Sequence, residues 1–203
     1  MLNVWLFLWL SLPSHAGEPA PFWKSKEKVY TRIEQGEVIV AVKREKGLPG
    51  KASNRLHIQG GGWTDAPSYF VFNKAMAFDE VAKESGYISS AKYDAATQKL
   101  DLEIHAFGYK TKLQLKIKPD GKSEPKTMGY EVLHGPLAGM TGVFTFADLK
   151  GKKTEVGIDA DFHYDKLSFP TFFVEFGFEV VFQRMAINLR SFVEKEYKKE
   201  VRE

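Results

Sequence analysis

From Gly86 onward, hydrophobic residues recur at every second position. The runs GYISSAKY, LDLEIHAF, TKLQLKIK, TMGYEVLH, GMTGVFTF and TEVGIDADF carry this alternation, and they are separated by DAATQ, GY, PDGKSEP, GPLA and ADLKGKK. The connections have turn and hairpin composition, so the pattern predicts six antiparallel strands. Leu100, Leu102 and Ile104 oppose Asp101, Glu103 and His105. Leu113, Leu115 and Ile117 oppose Lys112, Gln114 and Lys116, and Val156, Ile158 and Ala160 oppose Glu155, Asp159 and Asp161. One face of such strands meets water and the other needs a cover. Upstream, Val38, Val40 and Val42 alternate around Ile39 and Ala41, and Leu56 and Ile58 alternate with Arg55, His57 and Gln59. This predicts a further strand pair or an interrupted long strand, ended by Gly60, Gly61 and Gly62 as a bulge or tight turn.

Two segments change to the helical period. In SYFVFNKAMAFDEVAKES, Thr64 and Asp65 supply N-cap chemistry and Pro67 fits a first turn. Two short helices are predicted, with a bend between Asn73 and Ala77. Their buried sides would be Tyr69, Phe70, Phe72, Met76, Phe78 and Val81. The second helical segment starts near Pro170 and runs through residues 171–200, interrupted only by Gly177. At 100° per residue, Val174, Phe178, Val181, Phe182, Met185, Leu189 and Phe192 form one stripe, with Glu175, Glu179, Gln183, Arg190 and Glu194 toward the other side. This long helix is the cover the sheet requires. Phe176, Val180 and Ile187 interrupt its polar side; they suit contact with the N-terminal segment, a partner or peripheral contact with a membrane surface, and the residues alone do not choose among these.

The first residues follow a different logic. Val4 to Leu12 is a short apolar stretch, Pro13 breaks it, and Ser14 and Ala16 have the spacing of a signal-peptidase site. The segment reads as a secretory signal peptide, although no Lys or Arg precedes the apolar run, and it is shorter than a bilayer-crossing helix. The expected organisation is a signal peptide over 1–16, an N-terminal extension over 17–35 and one domain over 36–203, working in the periplasm or outside the cell. Zero cysteines exclude disulfides, thiolate nucleophiles and Cys-based metal sites, and remove the residue a lipoprotein anchor modifies. With 29 Lys+Arg against 26 Asp+Glu in 203 residues, the charge balance carries no nucleic-acid footprint. Aromatic residues make up 14% of the chain, which points to large apolar surfaces meeting each other or a greasy guest.

Strand pair, two short helices, a run of antiparallel strands and a long C-terminal helix form an α+β order that resembles the helix-grip fold of the START-like superfamily, also called SRPBCC or Bet v 1-like. GWTDAPSYFVFNKAMAFDEVAKESGYISSAKYD is similar to that family's Ala-Pro, helix, second helix and strand segment, with Ala66 and Pro67 as its Ala-Pro opening. Phe78 to Ile88 stands where the polyketide cyclase/dehydrase and coenzyme Q-binding branch has an aromatic-rich second helix and the strand after it. EVLHGPLAGMTGVFTFADLKGKKTEVGIDADF resembles that branch's strand, Gly turn, strand, Gly-Lys-Thr turn, strand pattern, and GEVIVAVKRE looks like a lead-in strand of exported bacterial members. The resemblance spans roughly residues 34–197. It departs at the family's frequent Trp early in the first helix, near which this chain has Tyr69, Phe70 and Phe72.

The resemblance implies a cavity between sheet and long helix that takes lipids, quinones, polyketides or other hydrophobic molecules. Its wall candidates are Met128, Tyr130, Val132, Phe144 and Phe146 from the sheet and Phe178, Val181, Phe182, Met185 and Leu189 from the helix. Each is also an ordinary core residue by composition. His134 shares the parity of Met128, Tyr130 and Val132, so His134 and Tyr130 are the candidates for a hydrogen bond to a ligand head group. His57, His105 and His163 read as surface residues. Asp159, Asp161 and His163 share one strand face, a spacing compatible with mixed Asp/His metal ligation and equally with a solvated face. No metal motif, nucleophile elbow or dinucleotide fingerprint is present, and no cofactor or catalytic residue is expected. Three readings remain: a noncatalytic carrier of a hydrophobic small molecule, a cyclase, aromatase or hydrolase using the same cavity, and an envelope interaction protein with a filled core.

Overall fold

The alternating runs pair into one eight-stranded antiparallel sheet in the order β1-β2-β8-β7-β6-β5-β4-β3. The computed structural model describes residues 23–47, 54–106, 108–166 and 177–202. Its strands are β1 (Ile39–Glu45), β2 (Asn54–Thr64), β3 (Ile88–Asp94), β4 (Lys99–Ala106), β5 (Tyr109–Asp120), β6 (Lys126–His134), β7 (Thr141–Leu149) and β8 (Lys153–Tyr164). The helices are α1 (Glu27–Glu34), α2 (Ser68–Met76), α3 (Phe78–Ser85) and α4 (Phe178–Glu200). All six strands expected after Gly86 are present. Leu56, Ile58, Leu100, Leu113, Leu115 and Ile117 are buried on the inner face, as their parity requires.

α4 lies across this face as the cover. Three side chains fasten it to backbone carbonyls. Gln183 Nε2 donates to Val38 O (2.9 Å), Arg190 Nη1 to Gly36 O (2.5 Å) and Asn188 Nδ2 to Ser85 O (3.0 Å). Toward its C-terminus, Phe192 and Val193 are buried, Tyr197 packs on Phe70 of α2 with ring centroids 5.1 Å apart, and the Lys74 ammonium sits 5.7 Å from the Phe192 centroid. Val180 and Ile187 are half-buried. The expected start of the helix near Pro170, with Val174, Glu175 and Phe176, lies outside the described residues, as does the segment read as a signal peptide.

Three local expectations are corrected. Gly60, Gly61 and Gly62 do not end β2; they lie inside it, and pairing with β8 continues to Thr64. Thr64 therefore closes a strand and does not cap a helix. Pro67 occupies the N-cap position of α2 without a side-chain cap, while Thr154 Oγ1 holds Ala66 O at 2.7 Å. Tyr69 is 54% exposed, and its neighbour Val71 is buried in its place. The bend between the short helices falls at Ala77.

The glycines in β2 answer to the N-terminal segment. Gly61 pairs with Gly157 of β8, and a Cβ on either would lie 2.9 or 3.0 Å from ring atoms of Trp23. Two adjacent strands thus lack side chains at one level of the outer face, and the Trp23 indole fills that notch at 2% exposure. Lys24 Nζ pairs with the buried Glu155 at 2.8 Å, Tyr30 meets Trp63 edge-on at 6.1 Å, and Ile33 of α1 is fully buried. The extension is a strap docked on β2 and β8.

Candidate functional site

Between the inner face of the sheet, α3 and the middle of α4 is a cavity of about 590 Å³, a volume in the range of small-molecule sites. Its origin is visible in the helix: Phe178, Val181, Phe182, Met185 and Leu189 point at the sheet yet are only partly buried. α4 is held by polar contacts to β1 and α3 and by packing at its C-terminal end, so its middle is not pressed onto the strands.

Ten of the eleven residues expected at the site line this cavity: Met128, Tyr130 and Val132 on β6, Phe144 and Phe146 on β7, and the five α4 residues. Phe146 is also core, 1% exposed and edge-on to Phe72 at 5.5 Å. The inward residues of β4 and β5, Leu100, Leu102, Ile104, Leu113, Leu115 and Ile117, complete the wall. Their alternation had already placed them on the inner face; that they meet the cavity follows from the sheet's curvature, which no local pattern records. The lining reaches the surface at Tyr109, 55% exposed, and Lys110.

His134 is the exception. Leu115 pairs with Val132, but the next pair is Gln114 with His134, so Leu133 is an extra residue in β6. This bulge reverses the alternation. His134 is exposed, opposite Gln114, whose Nε2 donates to Asp101 Oδ1 at 2.8 Å on the outer face. The expected inward parity of His134 is thereby corrected.

Among the described residues, no Asp, Glu or His lines the cavity. Ser85 uses its hydroxyl on Ala82 O and the amides of Tyr87 and Ile88, and Arg190 is turned to Gly36 O. Tyr130 is different. Its register partners on β7 and β8 are Gly142 and, beyond it, Ala160. A Cβ on Gly142 would lie 2.7 Å from Tyr130 Cζ and Oη and 2.8 Å from Ala160 Cβ. The phenol therefore lies down over the missing side chain, beside Phe144 at 5.6 Å. Burial, followed by the charge of Asp159, raises its pKa, so the hydroxyl keeps its proton.

The outer face carries the only group of potential metal ligands among the described residues. His57, Asp159 and Asp161 have ligand atoms within 4.8 Å of one another. The histidine comes from the neighbouring strand, whereas His163, on the strand of the acids, is exposed and lies opposite Arg55. Arg55 Nε donates to Asp161 Oδ1 at 2.6 Å, His57 Nδ1 lies 3.1 Å from the same oxygen, and Gln59 Nε2 donates to Asp159 Oδ2 at 2.6 Å. Burial pushes the Asp161 pKa up, but the hydrogen bond from Arg55 and the charges of His57 and Arg55 outweigh it, and the net shift is down. A fixed guanidinium on the oxygen a cation would need makes this an ion-pair network. His105 is exposed.

No protein-family model and no curated protein matches the sequence. Solved structures do match. The Zhui aromatase/cyclase from Streptomyces sp. R1128 superposes with a TM-score of 0.57 at 15% identity, covering 72% of this chain and 96% of its own. A START superfamily protein from Mycobacterium smegmatis gives 0.58 at 14%, covering 68% and 97%. Ara h 8.0201 gives 0.53 at 13%, covering 68% and 97%. The chain has the START-like helix-grip fold. At these identities the likeness extends to the fold and to the kind of space the fold encloses. Among the described residues, no helix is long and apolar enough to cross a membrane.

Proposed function

We propose that this START-like protein binds and carries a hydrophobic small molecule, of lipid, quinone or polyketide-like character, in the cavity beneath α4, and that it does so in the bacterial envelope after cleavage behind Ala16. The observation that carries the binding reading is the cavity of about 590 Å³, walled by aliphatic and aromatic side chains from both sheet and helix. Aromatic and Met side chains give large contact area with few directional demands, which suits a guest recognised by shape and greasiness. An interior of this size also speaks against the filled-core alternative.

The Zhui protein is an aromatase/cyclase, and an enzyme of that kind needs groups that move protons at the reacting atoms. The described lining offers no carboxylate or imidazole, and Tyr130 holds its proton more tightly than an ordinary phenol. Carriage is therefore favoured over catalysis. Export leaves the strap intact, because Trp23 lies downstream of the expected cleavage site.

The test is native mass spectrometry of protein purified from its own envelope fraction, followed by solvent extraction and identification of the released molecule. The expected result is a mature chain beginning at Gly17 with a bound hydrophobic adduct. Desalted protein that carries nothing and takes up neither quinones nor phospholipids would overturn the carrier reading.

A further inference from the structure

The cavity is almost wholly apolar, yet one phenol hydroxyl faces it at mid-strand. Tyr130 Oη makes no hydrogen bond to any described residue. A tyrosine hydroxyl withdrawn from water ordinarily finds a partner, because leaving it unpaired forfeits its hydration. Here the sequence has made room for the opposite. Across three adjacent strands the inward positions at one level are Tyr130, Gly142 and Ala160. A glycine and an alanine beside the tyrosine let its ring lie along the sheet, with the hydroxyl over Gly142. Had a larger side chain stood at residue 142, the ring would be forced off the sheet.

We infer that Tyr130 is the specificity-determining residue of the cavity, donating its hydroxyl to a carbonyl-type oxygen on the guest, so that the protein selects oxygenated ring systems such as quinones and polyketones over hydrocarbons of the same shape. This rests on the binding reading above and adds the ligand's chemical class to it. The raised pKa agrees with a donor role: the hydroxyl stays protonated, and the preference for an acceptor is constant across roughly pH 6 to 9.

The experiment uses a matched pair of probes, 2-methyl-1,4-naphthoquinone and 2-methylnaphthalene, which share a ring skeleton and differ in the two carbonyl oxygens. Their affinities are measured by equilibrium dialysis on the wild-type chain, Tyr130→Phe and Gly142→Ala. Tyr130→Phe keeps the ring and removes the donor, so it is expected to weaken the quinone by about 3- to 10-fold and leave the hydrocarbon unchanged. Gly142→Ala keeps the hydroxyl but displaces the ring, and is expected to lose the quinone preference while still binding the hydrocarbon. Equal quinone affinity in wild type and Tyr130→Phe overturns the inference and leaves the binding reading standing. Failure of the wild-type protein to bind either probe overturns the binding reading itself.

Discussion

Phe146 and Phe182 both face the cavity, and their surroundings set different consequences for losing them. Phe146 is 1% exposed and wedged against Phe72, so Phe146→Ala should cost about 3–5 kcal/mol in urea unfolding. Phe182 is half-buried and stacked on Phe178 at 5.9 Å, so Phe182→Ala should cost only about 1–2 kcal/mol while enlarging the cavity and changing hydrophobic-probe affinity. A loss as large as that of Phe146→Ala, with unchanged binding, would make Phe182 a core residue alone. Sequence placed both rings on the inner face but could not rank them, because the ranking depends on a neighbour from α2. Parity failed outright at His134, since an extra residue in β6 is revealed only by its register with β5. On the outer face, Asp161 has a lowered folded-state pKa. The native state therefore binds fewer protons than the unfolded chain near that pKa. Its stabilisation is present above the ordinary aspartate value of about 3.9 and is lost as the pH falls through the folded value. Asp161→Asn should destabilise by less than about 1 kcal/mol at pH 7, given the partial exposure of the pair. The difference from wild type should shrink as the pH is taken down through the aspartate range, read from urea midpoints at each pH.

At the scale of elements, the N-terminal strap is tied to the sheet through absent side chains. Gly61→Ala would place a methyl 2.9 Å from the Trp23 ring, and Gly157→Ala one 3.0 Å from it and 2.7 Å from Thr145 Oγ1. The ring is seated in the notch, so either substitution should displace it at a cost of about 1–3 kcal/mol, with tryptophan emission shifting to the red as the indole meets water. Unchanged emission and stability would mean that the strap tolerates looser docking than the packing implies. This element was illegible in sequence for a physical reason. A triple glycine in a strand pattern ordinarily signals a turn, and here its meaning comes from a tryptophan far upstream in the chain, in a segment whose polar, Pro-rich composition concealed the anchor. By contrast, β3 to β8 were legible from alternation alone. Each of those strands buries one face, and that demand is written locally at every second residue.

For the whole molecule, the helix grip trades packing for space. α4 is secured at β1 through Gln183 and Arg190, at α3 through Asn188, and at its C-terminal end through Phe192, Val193 and Tyr197. With these fastenings the middle of the helix can stand off the sheet without unfolding it, and the apolar walls there remain short of partners. A guest that fills the space binds the native state and not the unfolded chain, so its binding free energy adds to folding stability. At a free ligand concentration 100 times its Kd this linkage amounts to about 2.7 kcal/mol, equivalent to roughly 5–11 °C in Tm for a domain of this size. Solvent-extracted, refolded protein should therefore melt below the protein isolated with its cargo, and titrating the quinone probe should raise Tm in step with the logarithm of its concentration. Tyr130→Phe should need about 3- to 10-fold more quinone for the same shift. A Tm that stays constant across saturating probe would mean that the guest adds nothing to the native state, and the space under α4 would then be a packing defect and not a binding site.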